Sequence, residues 1–583
     1  MTRSLTAQER DQIVLKLYEQ LLEVEQRLIP TGLHVFGQPS KNGEMADLLR
    51  MVASFDRPEA GIRSLPDLIA AGLGLPEYQR LVNESATSSA RLQERERVEA
   101  IMRDAIATFL PAAKGEEAAA YLSREASVPQ EASLKVFNFL AQVRQRLSVN
   151  HELDALTRAL RGEYVEPGPG ADIIQNPDIL PTGRNIYALN PYGIPSPVAY
   201  RKSEAVVAAL LQRYLAEQGR YPEAMAMVLW GTDNIKTQGE GVAQALGFMG
   251  VEPRRDQLNR VTDVEVVPLE RLGRPRIDVV MTVSGIFRDL FGATMALLDK
   301  AVRRVAERAE PVEMNFVRKH VQERMADGGS FEDGVIRIFS NAPGNYGTNV
   351  DAMVLGSQWE RPDEIGDLFV RRKCFAYGRE AQGREARALM EQALARVEVA
   401  YQNIDTLEVG ITDVDHYFEY LGGVSQAVEK RAGGRPKIYL SDALSPAAKI
   451  RSLEETVRLE TRTKTLNPKW YEGMLKHGFS GVAQIEHHVT NTFGWSATVD
   501  AVDDWVYDEI AQTYVLDGKM LDRLRSFNPH ATRHLVERLL EAHGRGFWAA
   551  DEEVIDQLRE SFATLEDELE GIKKTQMAPI HTD

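Results

Sequence analysis

The chain predicts a helix-rich α/β protein of several domains, and three observations carry that expectation. Apolar residues recur at spacings of three and four through residues 1–165. Short apolar runs alternate with helical stretches over residues 186–297, and helical periodicity then returns through residue 572. With 583 residues the chain also exceeds what one hydrophobic core serves, so roughly three or four domains are expected.

In the first region, Ile13 to Tyr18 and Leu21 to Val24 set the helical spacing, and the stretch from Arg27 to Gly37 interrupts it with Pro30, Gly32 and Gly37, a turn between helices. Residues 166–185 (EPGPGADIIQNPDILPTGRN) are rich in Pro and Gly and predict a linker or long extended loop, the main boundary of the chain. Beyond it, Ala205 to Gln218 and Gly239 to Met249 predict helices, and Ala226 to Trp230, Val264 to Val267 and Ile277 to Val283 predict strands. Strands separated by helices imply a mainly parallel sheet, whose ligand crevice lies beyond the carboxyl ends of the strands. The loops there, Gly231 to Glu240 and Ser284 to Asp289, are polar. Residues 298–572 predict a mainly helical core, and residues 573–583 a disordered tail.

Composition excludes several classes. A net charge of −17 argues against nonspecific binding of nucleic acid or anionic membrane. A single cysteine, Cys374, allows no intramolecular disulfide and no cysteine-based zinc cluster. The charged amino terminus lacks the apolar run of a signal peptide, and no apolar stretch is long enough to span a bilayer, so a cytoplasmic or membrane-peripheral location is expected. No phosphate loop, no GxGxxG after a strand, no HExxH and no GxSxG occurs.

Polar clusters remain. The densest is Glu454 to Met474, EETVRLETRTKTLNPKWYEGM. On a helix Glu455, Arg458, Leu459 and Arg462 share one face and Glu460 lies round from it, which suits either the wall of a polar cavity or a set of ion pairs holding a domain together. His416, in Asp413 to Phe418, stands among carboxylates and aromatics, as a proton carrier, a metal ligand or a helix-cap residue would. The Gly/Asn-rich run Ser340 to Asn349 fits an anion cradle or an ordinary loop. Arg371 to Tyr377 offers guanidinium forks beside aromatics, or a solvated charge run. His487 and His488 point about 100° apart on a helix and do not chelate one ion, which leaves Glu486 and Asn491 as polar-cavity candidates.

Taken in order, RLIPTGLHVFG, LPTGRNIYALNPYGIPS, VLWGTDNIKTQGEG, TVSGIFRDLF, EMNFVRKH, RIFSNAPGNYGTNV, RRKCFAYGR, DVDHYFEYLGG, ETVRLETRTKTLNPKWYEGM and TNTFGWSAT resemble the large H subunit of magnesium chelatase. Several of these motifs are shared with the large subunit of aerobic cobaltochelatase. The resemblance runs from Arg27 to Thr498 and corresponds to the C-terminal half of that family. The family's upstream His-Gly motif and the glutamate that follows it have no match here.

The resemblance implies a subunit that binds protoporphyrin IX and hosts insertion of Mg²⁺ as substrate ion, in chlorophyll or bacteriochlorophyll biosynthesis. ATP hydrolysis would belong to separate AAA+ partner subunits, and the missing N-terminal half would be a further partner. Carried onto this chain, His416 with Glu455 or Glu460 would handle protons or hand over the metal, Arg372 and Arg458 would hold the propionates, and Tyr417, Trp470 or Trp495 would face the ring. Glu240 would be a transient Mg²⁺ carboxylate. Two other readings stand beside this one: a porphyrin-binding or partner-docking module without chemistry of its own, and a cobaltochelatase relative acting on a corrin.

Overall fold

The computed structural model describes residues 27–39 and 42–572 except 28, 86, 87, 171, 175, 188–190, 407 and 443–448, together with Val14, Leu17, Leu21 and Val24. The tail expected at 573–583 lies outside the described residues. The chain forms two compact units, one built from residues 1–27 and 34–188, the other from 28–33 and 189–583.

The first unit is helical. Its longest helix, Ser89–Phe109, starts at Ser88, whose hydroxyl accepts from the Arg91 N–H, and buries Val98, Ile101, Met102, Ala105, Ile106 and Phe109. These fall at the three-and-four spacing that puts one stripe into a core. Helices Gly115–Ala126 and Gln130–Leu147 complete that core, where the Phe109 and Phe137 rings lie 5.3 Å apart. The Pro/Gly-rich stretch is folded into this unit and is not a free linker. Residues Pro167–Pro169 pair in parallel with Asn185–Tyr187, and the Arg184 guanidinium donates to the carbonyls of Ile179 and Leu180 at 3.0 Å.

The second unit is built on one eight-stranded sheet. Its strands are β1 (Ala224–Leu229), β2 (Asp278–Val283), β3 (Ile338–Ser340), β4 (Phe375–Tyr377), β5 (Gln382–Glu385), β6 (Val397–Ile404), β7 (Lys437–Asp442) and β8 (Lys449–Ser452), in the spatial order β8-β7-β6-β1-β2-β3-β4-β5. The five central strands β7, β6, β1, β2 and β3 run parallel, and both edges are closed by antiparallel pairs. Strands β1 (AMAMVL) and β2 (DVVMTV) are buried at every position, as a sheet covered on both faces requires.

Two expectations need correction. The sheet does not end at Leu297, because six of its eight strands come from the region read as a helical core. β3 and β4 are three residues each, too short to show a period, and β6 carries Gln402 and Asn403 inside the fold. The predicted strand at Val264 to Val267 belongs to Val261–Val266, which pairs antiparallel with Val251–Arg255 in a hairpin outside the main sheet. From Leu453 onward the described chain is helical.

The connection order creates one special place. From β1 the chain moves outward through β2 and β3, then returns to lay β6 and β7 on the other side of β1. The crevice at the carboxyl ends of β1 and β6, where the winding reverses, is where a sheet of this kind receives a ligand.

Candidate functional site at the carboxyl ends of the strands

β1 ends at Leu229, and Trp230 leads directly into helix α1 (Gly231–Lys236). β2 ends in the same way at Ser284, whose hydroxyl caps helix α3 (Gly285–Leu290); helix α2 (Glu240–Met249) lies between them in sequence. The Ser284 hydroxyl accepts from Gly231 N–H and Phe287 N–H, each at 3.1 Å, and so ties the two loops together. Glycine keeps these approaches close: a Cβ on Gly231 would lie 2.5 Å from Ile286 Cγ2, and one on Gly285 2.2 Å from Tyr346 Cδ1. Ile286 and Tyr346 therefore lie close against the backbone of Gly231 and Gly285 while 44% and 54% exposed, at the end of the sheet where Trp230 stands.

The Ser340 to Asn349 loop is pinned from below. Arg288 donates to the carbonyls of Ala342 (2.9 Å) and Asn345 (2.8 Å), and its guanidinium lies 5.2 Å from the Tyr346 ring centre. Asn341 donates to Gly347 O at 2.6 Å, and Lys373, at the end of helix α4 (Pro362–Lys373), donates to Asn341 Oδ1 at 3.0 Å and to Val283 O at 2.6 Å. Lys373 is completely buried, with the Tyr420 ring 4.5 Å from its Nζ, and burial pushes its ammonium down to about 7.

His416 completes the shelf. Its side chain is 61% exposed, its ring lies 6.2 Å from that of Trp230, and its Nδ1 is 3.0 Å from Glu419 Oε2. The Glu419 bond raises the proton affinity of the imidazole against a smaller loss from burial, and Asp415 adds to it. Burial would lift the Glu419 carboxyl, but the bonds from His416 and the Thr348 N–H hold it low. Tyr417 is buried, edge-on to Trp230 at 6.4 Å. An exposed imidazole, tied to a buried carboxylate beside an aromatic surface, can carry a proton to or from a flat ligand.

The remaining sequence-selected residues divide into a scaffold behind this shelf and separate ion pairs. Helix α5 (Leu453–Glu460) starts at Ser452 in a capping box with Glu455, and Glu455 also accepts from Arg213 at 2.8 Å. Arg458 forms a bidentate pair with Asp503 at 2.5 and 3.0 Å. Glu460 is fully buried and accepts from Ile411 N–H (3.0 Å), Thr412 N–H (2.9 Å) and the Thr412 hydroxyl (2.7 Å). On helix α6 (Phe479–Val499), Trp495 donates to Ile411 O at 2.9 Å and Asn491 to Thr412 O at 2.9 Å. The Trp470 ring lies tilted, 4.3 Å from that of His488, whose Nε2 lies 2.7 Å from Asp413 Oδ1, and Lys464 pairs with the other Asp413 oxygen. These groups fasten residues 410–413, the segment leading into His416.

Arg372 is half-buried at the shelf. One nitrogen donates to Tyr346 O at 3.3 Å, and its Nε has no hydrogen-bond partner. Glu240 is buried at the start of α2 and pairs with Lys202 at 3.2 Å; burial raises its carboxyl, and Lys202 opposes that. Among the described residues, no group of three or more His, Cys, Asp or Glu is placed to hold a metal ion. Glu486 accepts from Thr490 at 2.5 Å inside its own helix. The sequence did not single out Trp230 or Glu419, and it offered Lys373 only as part of the Arg371 to Tyr377 run. Trp230 ends an apolar strand and Lys373 sits in a charge run, so only their placement at the strand ends could have singled them out.

The doubly wound sheet, with a polar and aromatic crevice at its reversal point, places the chain in the α/β class. Within that class the chain belongs to the CobN/magnesium chelatase family, whose model matches residues 1–555. It is 43% identical to the chloroplastic magnesium-chelatase protein ChlH of Oryza sativa subsp. indica, over 98% of this chain and 43% of that protein. It is 38% identical to the magnesium-chelatase H protein of Chlorobaculum parvum, over 96% of this chain and 45% of that one. The solved catalytic subunit of cobaltochelatase from Mycobacterium tuberculosis superposes with a TM-score of 0.89 at 32% identity, covering 97% of this chain and 47% of that one. The chain thus spans less than half the length of these relatives.

Proposed function

We propose that this chain acts as the C-terminal half of a magnesium chelatase large subunit, binding protoporphyrin IX on the shelf of the second unit during Mg²⁺ insertion, in chlorophyll or bacteriochlorophyll biosynthesis. The strip of Trp230, Ile286 and Tyr346, with the half-open Arg372 at one end and His416 beside it, carries this reading. A flat apolar macrocycle needs such a surface, and its propionates need a guanidinium. The 43% identity to a magnesium-chelatase protein, against 32% to the aerobic cobaltochelatase protein CobN of Sinorhizobium, favours magnesium over cobalt.

On this reading Arg372 meets a propionate, the Trp230 and Tyr346 rings face the macrocycle, and His416, oriented by Glu419, takes one of the two pyrrole protons. Mg²⁺ sheds water reluctantly, and oxygen ligands must guide it. AAA+ subunits supply ATP hydrolysis, and the N-terminal half of the large subunit completes the site. No described helix is long and apolar enough to cross a membrane, in keeping with a cytoplasmic or membrane-peripheral place of action. The structural likeness to a cobaltochelatase favours one alternative, a corrin substrate with Co²⁺. Reconstitution with the N-terminal half and the AAA+ subunits decides between them. Mg²⁺ insertion into protoporphyrin IX is the expected result, and insertion of Co²⁺ into a corrin alone would replace this reading.

A further inference from the structure

A second, fully internal polar group lies at the same end of the sheet, on the α2 side of β6. Asp233, in the first turn of α1, is buried, and its Oδ1 has no hydrogen-bond partner in the protein. Across from it the Tyr401 hydroxyl lies 2.9 Å from Gln244 Oε1, 2.9 Å from Asn403 Oδ1 and 2.6 Å from Ser441 Oγ. The Tyr401 hydroxyl has one proton and gives it to Gln244 Oε1, while the Ser441 hydroxyl donates to Asn403 Oδ1 at 2.5 Å; Gln244 Nε2 and Asn403 Nδ2 are buried and make no hydrogen bond of ordinary length. Two amide donors and one carboxyl acceptor, open within one buried network, are what bound water satisfies.

We propose that Asp233, Gln244 and Asn403 form an internal water site through which Asp233 accepts a proton displaced from a ring nitrogen as the metal enters. This rests on the reading given above, in which two protons leave the ring and His416 serves one of them. The N–H bond breaks, its electron pair stays on nitrogen and enters the nitrogen–metal bond, and the proton passes through bound water to Asp233 Oδ1. The proton then leaves through the same bound water to solvent at the shelf, so no further reactant is needed.

The charged and titratable groups facing Asp233 are Asp405, Glu240, Lys236, Tyr401 and Tyr417. Burial first, then the charges of Asp405 and Glu240, raises the proton affinity of Asp233, while Lys236 and Asn403 oppose the rise. A carboxyl of raised affinity is a better acceptor near neutral pH than an ordinary aspartate. Lys236 is drawn towards Asp405 at 3.0 Å, which leaves Asp233 without an ion-pair partner of its own.

The test compares the intact chain with Asp233→Asn and Gln244→Leu. Infrared difference spectra of the intact chain between alkaline and acidic pH, in H₂O and D₂O, should show a carboxylate that converts to an exchangeable carboxylic acid, a band that Asp233→Asn removes and Gln244→Leu shifts. In the reconstituted complex, Asp233→Asn should bind protoporphyrin as the wild type does, yet insert metal about a hundredfold more slowly, with an acidic limb of the pH profile that reports His416 alone. An absent band, or a variant with wild-type insertion rate and pH profile, would overturn the proposal. If the wild type shows the band but binds no porphyrin, the functional reading fails, and with it the role of Asp233 in that reaction, while the water site itself stands.

Discussion

His416 and Lys373 show how single residues at the strand ends are tuned in opposite directions. The imidazole gains proton affinity chiefly from Glu419, so Glu419→Gln should move its titration down toward the ordinary histidine range, as NMR of the ring protons can follow. Lys373 is the reverse case. Its pKa falls from 10.5 to about 7 on folding, so the unfolded chain binds more protons between those values and stability rises with pH across that window. Lys373→Met should abolish this rise and raise stability at and below neutral pH, where the wild type carries the full cost of a buried ammonium. Denaturant titrations on both sides of neutrality measure it.

At the scale of elements, the scaffold that fastens residues 410–413 and the shelf should respond differently to substitution. Asp413 is pulled well below the usual carboxylate range by His488 and Lys464, against the effect of burial. Asp413→Asn leaves the completely buried Lys464 without its counter-charge and should destabilise the chain by about 3–5 kcal/mol. Trp470→Ala should cost a similar amount, about 3–5 kcal/mol, by opening a cavity in the core. The shelf responds differently. Gly285→Ala drives a methyl into the Tyr346 ring, which is exposed and can swing away, so ligand affinity should fall about tenfold while thermal stability changes little. Parallel binding and melting curves on these variants distinguish the two classes.

The same division explains what was legible in the sequence. Strands β1 and β2 announced themselves as mainly apolar runs, and the loops after them lie beyond the carboxyl ends of the strands, as the spacing implied. β6 concealed itself because Gln402 and Asn403 look polar in one dimension but are buried within the crevice. The run of charges from Glu454 was conspicuous because buried and bidentate ion pairs need many carboxylates and guanidiniums. Its Glu455 and Arg458 are taken up by Ser452, Arg213 and Asp503. His416 and Tyr417 stand beside Trp230, while Glu460, Trp470 and Trp495 support the segment before them; spacing along the chain carries no record of that depth.

For the molecule as a whole, family membership fixes what kind of protein this is, and the reversal point of the sheet is where its chemistry is expected. The central claim is that the shelf of Trp230, Ile286, Tyr346 and Arg372 receives a porphyrin. Titration of the chain with a soluble protoporphyrin analogue, followed by tryptophan fluorescence, tests it most directly when run beside Trp230→Phe and Arg372→Ala. Saturable quenching is expected in the wild type, with most of that quenching lost in Trp230→Phe while binding is retained, and affinity about tenfold or more weaker in Arg372→Ala. Saturable binding that both substitutions leave unchanged would place the porphyrin elsewhere and contradict the account.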